Sequence, residues 1–133
     1  MSHLLREDGT AFLRAGMGEA VLKKLQTRGW RIEADLDLHG MTVDQARARL
    51  ADFILQCVAY DARCVRIVHG KGYNSPNGQS VLRDRVQAWL VGSGDVRAFV
   101  QASERDGGAG ATLALLGVDD RRARDRRAPS GNR

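Results

Sequence analysis

Ile32-Glu33-Ala34-Asp35-Leu36-Asp37-Leu38-His39-Gly40 is the stretch whose reading decides the fold. Its apolar residues, Ile32, Ala34, Leu36 and Leu38, alternate one for one with Glu33, Asp35, Asp37 and His39. A period of two predicts a half-buried β-strand, with the aliphatic side chains in a core and three carboxylates and an imidazole on the opposite face. Residues two apart on a strand are roughly 6.6 Å apart, so Asp37 and His39 can reach one small group. Gly40 ends the strand, and Thr42-Val43-Asp44-Gln45 opens a helix with a capping-box pattern, Thr42 as N-cap and Gln45 reaching back. Val43, Ala46, Leu50, Phe53 and Cys57 continue at spacings of three and four, which predicts an amphipathic helix over 42–59. His39 thus falls where a strand's C-terminal end meets a helix N-terminus, the usual place for a site in an α/β sheet. Taken alone, the polar row reads first as a solvated strand face.

Downstream, Cys64-Val65-Arg66-Ile67-Val68 reads as a second strand. Strand, helix and strand in about forty residues imply a right-handed unit with parallel strands. His69-Gly70-Lys71-Gly72 then follows at the same sheet edge as His39. A polar loop from Tyr73 to Gly78 leads to a helix marked by Val81, Leu82, Val86, Trp89 and Leu90, which stops near Gly92 or Gly94. Val96 to Ala102 predicts a third strand and Ala111 to Leu116 a fourth. The short glycine-rich link Glu104 to Gly110 makes that last pair antiparallel. Upstream, Leu13, Met17, Val21 and Leu25 recur every four positions and predict a helix over 10–27, although Gly16 and Gly18 are poor helix formers. The expected organisation is an N-terminal helical extension over 1–29, a domain over 30–117 and a basic, disordered tail over 118–133.

A chain of 133 residues is large enough for one domain with a real core. Net charge is +5, but residues 121–133 hold six Arg against one Asp, so the folded part is near neutral. A basic tail can add phosphate affinity without saying what the domain reads. No apolar run approaches the roughly 18–20 residues needed to cross a bilayer, and the N-terminus lacks a signal peptide's apolar core. The expectation is a cytoplasmic protein with no membrane partner. Cys57 and Cys64 have no zinc spacing around them and read as reduced core residues.

Three loops are rich in reactive or phosphate-compatible residues: Asp37-Leu38-His39-Gly40, His69-Gly70-Lys71-Gly72 and Arg105-Asp106-Gly107-Gly108-Ala109-Gly110-Ala111. Glycines flanking Lys71 let backbone N–H groups approach a phosphate while the ammonium supplies charge. The spacing is not that of a Walker loop, and Gly-Lys-Gly alone is an ordinary turn. With a histidine at each strand end it points to phosphodiester chemistry.

These three motifs, in this order and at these separations, resemble the signature motifs of the Smr (small MutS-related) domain over roughly residues 30–116. The segment from Phe12-Leu13 to Trp30 is similar to the N-terminal extension of stand-alone bacterial Smr proteins. The resemblance implies a two-layer βαβαββ α/β fold with a mixed sheet, similar to the C-terminal domain of bacterial initiation factor three. It also implies nucleic-acid binding and, in several members, cleavage of RNA or nicking of DNA; some act on messenger RNA at stalled or collided ribosomes. The family's Asp-x-His pair falls on Asp37 and His39, and the basic residue of its glycine-rich loop on Lys71. Many relatives carry Thr where this chain has His69.

RNA carries its own nucleophile, the 2′-OH, so cleavage needs a base, charge stabilisation at phosphorus and a proton for the leaving group. Imidazole chemistry suits His39 to the base role, Asp37 can orient it, and Lys71 can neutralise phosphate charge. His69 is either the acid or an imidazole capping the strand end. No metal or other cofactor is required; the competing arrangement makes Asp35 and Asp37 magnesium ligands. Tyr73 is the candidate for base stacking, whereas Trp30 and Trp89 read as packing residues. His69, Gly70, Gly72, Tyr73, Arg105, Gly107, Gly108 and Gly110 are the expected nucleic-acid contacts, although Arg105 also reads as an ordinary surface arginine and His3 as inert. Two function classes stand at this point: a small endonuclease acting on RNA, or a non-catalytic nucleic-acid- or ribosome-binding module.

Overall fold

The computed structural model describes residues 4–5, 10–72 and 81–117. Its centre is a mixed sheet of β1 (Leu4–Leu5), β2 (Ala11–Leu13), β3 (Ala34–Asp37), β4 (Cys64–Val68), β5 (Val96–Gln101) and β6 (Ala111–Leu116), in the spatial order β1-β2-β5-β6-β4-β3. Helices α2 (Val43–Ala59) and α3 (Val81–Gly92) cover one face, and the short α1 (Ala20–Gln26) lies over β5 and β6 on the other.

Strand β3 and its extension to His39 are as their alternation predicts. Leu36 and Leu38 are buried against α2 and α3, while Asp35, Asp37 and His39 are exposed. Burying each leucine is worth about 1.5–3 kcal/mol, enough to fix which face of the strand turns inward. β3 pairs parallel with β4, Leu36 beside Ile67 and Asp37 beside Val68. The ladder runs past the strand end, because the Leu38 N–H donates to the Val68 carbonyl at 2.7 Å. α2 starts on a complete capping box: Gln45 N–H donates to Thr42 Oγ1 and Thr42 N–H to Gln45 Oε1, both at 3.1 Å. β6 sits between β4 and β5, antiparallel to both, so the start of β6 meets the end of β4. That register brings the second and third motif loops together.

The N-terminal segment differs from expectation. Instead of a helix over 10–27, Ala11–Leu13 forms a strand antiparallel to β5, and only Ala20–Gln26 is helical. Long-range packing outweighs the local period here: Phe12 is buried and its ring stacks on Phe99 at 5.3 Å. Arg14 then donates from Nη2 to the Ser93 carbonyl at 2.7 Å and from Nε to the Val96 carbonyl at 3.1 Å, which ties the segment to the α3–β5 turn. Gly16, at φ +93°, turns the chain where a continuous helix would have to pass.

Cys57 and Cys64 are free and buried, and burial pushes the Cys64 thiol up to about 11. Trp30 and Trp89 are half-buried packing residues, as read from the sequence. No helix among the described residues is long and apolar enough to cross a membrane. The Tyr73–Gly78 loop, His3 and the basic tail lie outside the described residues.

Candidate functional site

Asp37 is the last residue of β3, and His39 follows it on the same exposed edge. Asp37 Oδ1 accepts two hydrogen bonds from His39, one from the backbone N–H at 3.0 Å and one from ring Nδ1 at 2.6 Å. These bonds hold the Asp37 carboxyl below the ordinary carboxylate range, against a smaller opposing effect of burial. Gly40, at φ +79°, allows the tight turn closed by Met41 N–H on the Leu38 carbonyl at 3.0 Å on the way to the α2 cap. With Nδ1 engaged, the ring directs Nε2 away from Asp37, and the His39 side chain is 70% exposed.

The His69–Gly72 loop leaves β4 beside this pair. Gly70 and Gly72 both adopt positive φ, +89° and +79°, so the turn carrying Lys71 needs glycine on either side. Gly70 lies against His39: a Cβ built on it would sit 3.6 Å from the His39 Cβ. Lys71 is exposed, and its stem crosses Gly110, where an added Cβ would come 3.1 Å from Lys71 Cγ.

His69 points inward and is 3% exposed. Nδ1 is 3.0 Å from the Gly70 carbonyl, and Nε2 is 3.0 Å from Thr112 Oγ1 on β6. Burial pushes its pKa below the ordinary histidine value, with the Gly70 carbonyl opposing and Arg83 adding to the fall. Neither ring nitrogen is presented to an external group, so of its two sequence-level readings the contacts match the strand-end cap and depart from the acid.

The third loop consists of two single 3₁₀ turns, Glu104–Asp106 and Gly108–Gly110. Gly107, Gly108 and Gly110 donate their N–H groups to Glu104, Ser103 and Gly107 carbonyls, within the loop itself. The Gly110 carbonyl reaches across, accepting from His69 N–H and Gly70 N–H at 3.0 Å each. The N–H groups of Gly107, Gly108 and Gly110 are thus used within the loop rather than left as an open row of donors. Arg105 is exposed, whereas its neighbour Asp106 is buried and bonded by Arg28 through both carboxylate oxygens. Those bonds hold the Asp106 carboxyl below the ordinary range. Arg66 donates to the Asp106 carbonyl at 3.2 Å and also pairs with Asp35.

Asp35 is thus engaged one alternate position further along β3 from Asp37. Among the described residues no three His, Cys, Asp or Glu side chains converge on a cation site. Asp35, the second carboxylate of the magnesium arrangement, is paired with Arg66 Nε.

The structure brings Asp37, His39, Gly70 and Lys71 to one sheet edge and backs them with Gly110. Sequence reasoning passed over Thr112 and Asp106. Thr112 had a signal, being the one hydroxyl in the otherwise apolar Ala111–Leu116 strand; Asp106 is recognisable only once Arg28 is seen beside it.

The model of the Smr domain matches residues 36–117. The ribosome rescue factor SmrB of Aliivibrio salmonicida is 36% identical over 119 residues, 89% of this chain and 64% of that protein. SmrB of Tolumonas auensis is 37% identical over 114 residues, 85% of this chain and 62% of that protein. The chain therefore spans just under two thirds of the length of these curated relatives. Among solved structures, YdaL, a stand-alone small MutS-related protein of Escherichia coli, superposes with a TM-score of 0.71 at 33% identity, covering 82% of this chain and 83% of its own. The Smr domain of Thermus thermophilus MutS2 gives a TM-score of 0.56 at 27% identity, over 64% of this chain and 99% of its own.

Proposed function

The chain belongs to the Smr domain family, and from that premise we propose that it is an endonuclease that cleaves RNA at a centre formed by Asp37, His39 and Lys71. The observation that carries this reading is the double bond-acceptance of Asp37 Oδ1 from His39, which fixes the imidazole's orientation at an exposed strand end. His39 Nε2 takes the proton of the 2′-OH, whose oxygen attacks the adjacent phosphorus as the P–O5′ bond breaks. Asp37 stabilises the imidazolium that forms, and the Lys71 ammonium offsets the charge gathering on the phosphate oxygens. With His69 buried, the proton for O5′ comes from water. No metal takes part in this scheme. Gly72 and Arg105 supply the surrounding contacts to the nucleic acid. The names of the SmrB relatives support a ribosomal context; in this reading the strand cut is messenger RNA and the place is the cytoplasm.

The test is incubation of purified wild type and His39→Ala with labelled RNA and DNA, with and without EDTA. The expected result is RNA cleavage by wild type alone, insensitive to EDTA, giving 2′,3′-cyclic phosphate and 5′-hydroxyl ends. A 2′-deoxy substitution 5′ to the cut abolishes it. Products with 5′-phosphate that form only with added divalent metal overturn the scheme. Equal binding by both proteins without cleavage assigns the chain to the non-catalytic binding modules.

A further inference from the structure

We propose that His69 is a positioning residue: its imidazole, fixed between the Thr112 hydroxyl and the Gly70 carbonyl, sets the turn that presents Lys71 beside His39. The inference rests on the assignment of Asp37, His39 and Lys71 as the cleavage centre. The Gly70 carbonyl and the Lys71 nitrogen belong to one planar peptide unit, so holding the carbonyl fixes the direction in which Lys71 leaves the turn. His69 Nδ1 holds that carbonyl at 3.0 Å, and the Gly110 carbonyl holds the Gly70 N–H at 3.0 Å, so Gly70 is gripped at both ends. The ring is itself anchored: Thr112 lies in β6, paired with Ile67 of β4 and Gln101 of β5, and its Oγ1 is 3.0 Å from Nε2. A rigid three-strand platform is thereby coupled through one side chain to the glycine turn. The site requires a group with a donor and an acceptor on different sides, which neutral imidazole provides as Nδ1–H and the Nε2 lone pair. Thr112 then donates its hydroxyl proton to Nε2. Gly110 completes the device by leaving room for the Lys71 stem, whose Cγ would be 3.1 Å from any Cβ there.

The experiment compares the full-length wild type with Thr112→Val, Thr112→Ser and His69→Gln, each first checked for folding by thermal melt. Thr112→Val keeps the shape and removes the hydroxyl. It is expected to lower kcat for RNA cleavage on the order of 10- to 100-fold, as small misplacements of a catalytic group do, with little change in KM. Thr112→Ser restores most of the loss. His69→Gln lowers the height of the pH–kcat profile without removing a limb, as a proton donor's loss would. Independently of cleavage, ¹⁵N spectra should show His69 as the Nδ1–H tautomer, and Thr112→Val should shift the Gly70, Lys71 and His39 amide signals. Wild-type kcat in Thr112→Val, unmoved signals, an Nε2–H tautomer or a lost pH limb in His69→Gln each overturn the proposal. A wild type that does not cleave refutes the cleavage centre instead, and the spectra then decide the coupling between Thr112 and the turn.

Discussion

Asp37 and His39 are joined twice through a single oxygen: Asp37 Oδ1 receives the His39 backbone N–H at 3.0 Å and ring Nδ1 at 2.6 Å. One carboxylate oxygen therefore fixes both where the histidine starts and how its ring is turned. Asp37→Asn is expected to lower single-turnover cleavage about 10- to 100-fold, the usual cost of losing a group that orients a functional histidine. Unchanged cleavage by the purified variant would remove Asp37 from the mechanism. The Asp37 carboxyl is held below its ordinary range, so the pairing is intact above that range and is lost only as pH falls through the lowered value. Activity that declines in the neutral region must then have another origin than Asp37.

Lys71 contributes charge more than shape in the proposed chemistry. Lys71→Ala is expected to reduce kcat by about 10²–10³, the range for one stabilising donor at a developing anion, and Lys71→Arg to retain much of the rate. A Lys71→Arg variant as slow as Lys71→Ala would show that the length and packing of the lysine stem over Gly110 matter more than its charge.

Removal of the Asp106 carboxylate should act on stability. The side chain is 1% exposed and bonded by Arg28, whose own side chain is 41% exposed and can rehydrate. Asp106→Asn is therefore expected to cost about 1–3 kcal/mol in urea unfolding, the range for losing a buried hydrogen-bonded group. Because the Asp106 carboxyl is depressed, its stabilisation is complete above the ordinary carboxylate range and falls away as pH drops below it. A variant whose acid unfolding curve overlays that of wild type would contradict this.

His69 predicts a separate acid limb. Its pKa is pushed down by burial, so the unfolded chain binds the proton more readily than the folded one. Its contribution is complete above the ordinary histidine value and erodes as pH falls below it, before the Asp106 window is reached. Melting temperatures of wild type against His69→Gln across pH 4–8 check this: the difference between them should narrow toward the acid end.

The order of strands 32–39, 64–68, 96–102 and 111–116 and both major helices were legible in the sequence, because the first strand and the helices bury one face and leave their own period behind, while Ala111–Leu116, buried throughout, is an almost unbroken apolar run. The capping box at Thr42 and the Asp37–His39 neighbourhood were legible for the same reason: both are local. The strand at Ala11–Leu13 was not, since its partner Phe99 lies far along the chain and three residues carry no period. Nor was the burial of His69, which depends on a hydroxyl 43 residues away. Gly107, Gly108 and Gly110 read as nucleic-acid contacts from their place in the third motif, whereas only the fold shows that their N–H donors are used inside the loop.

β3 is the last strand of the sheet, and its outer backbone edge meets no further strand among the described residues. An unpaired edge invites another chain to dock by strand addition, and proteins commonly guard it with brevity and charge. Here the guard is four residues long and carries Asp35 and Asp37 on its exposed face, with Glu33 just before it. A second copy laid alongside would bring like carboxylates together. Asp37, assigned to phosphate chemistry, thus shares this edge with Asp35, and neutral replacements at 35 and 37 are expected to raise the chain's tendency to associate, the one at 37 also slowing cleavage.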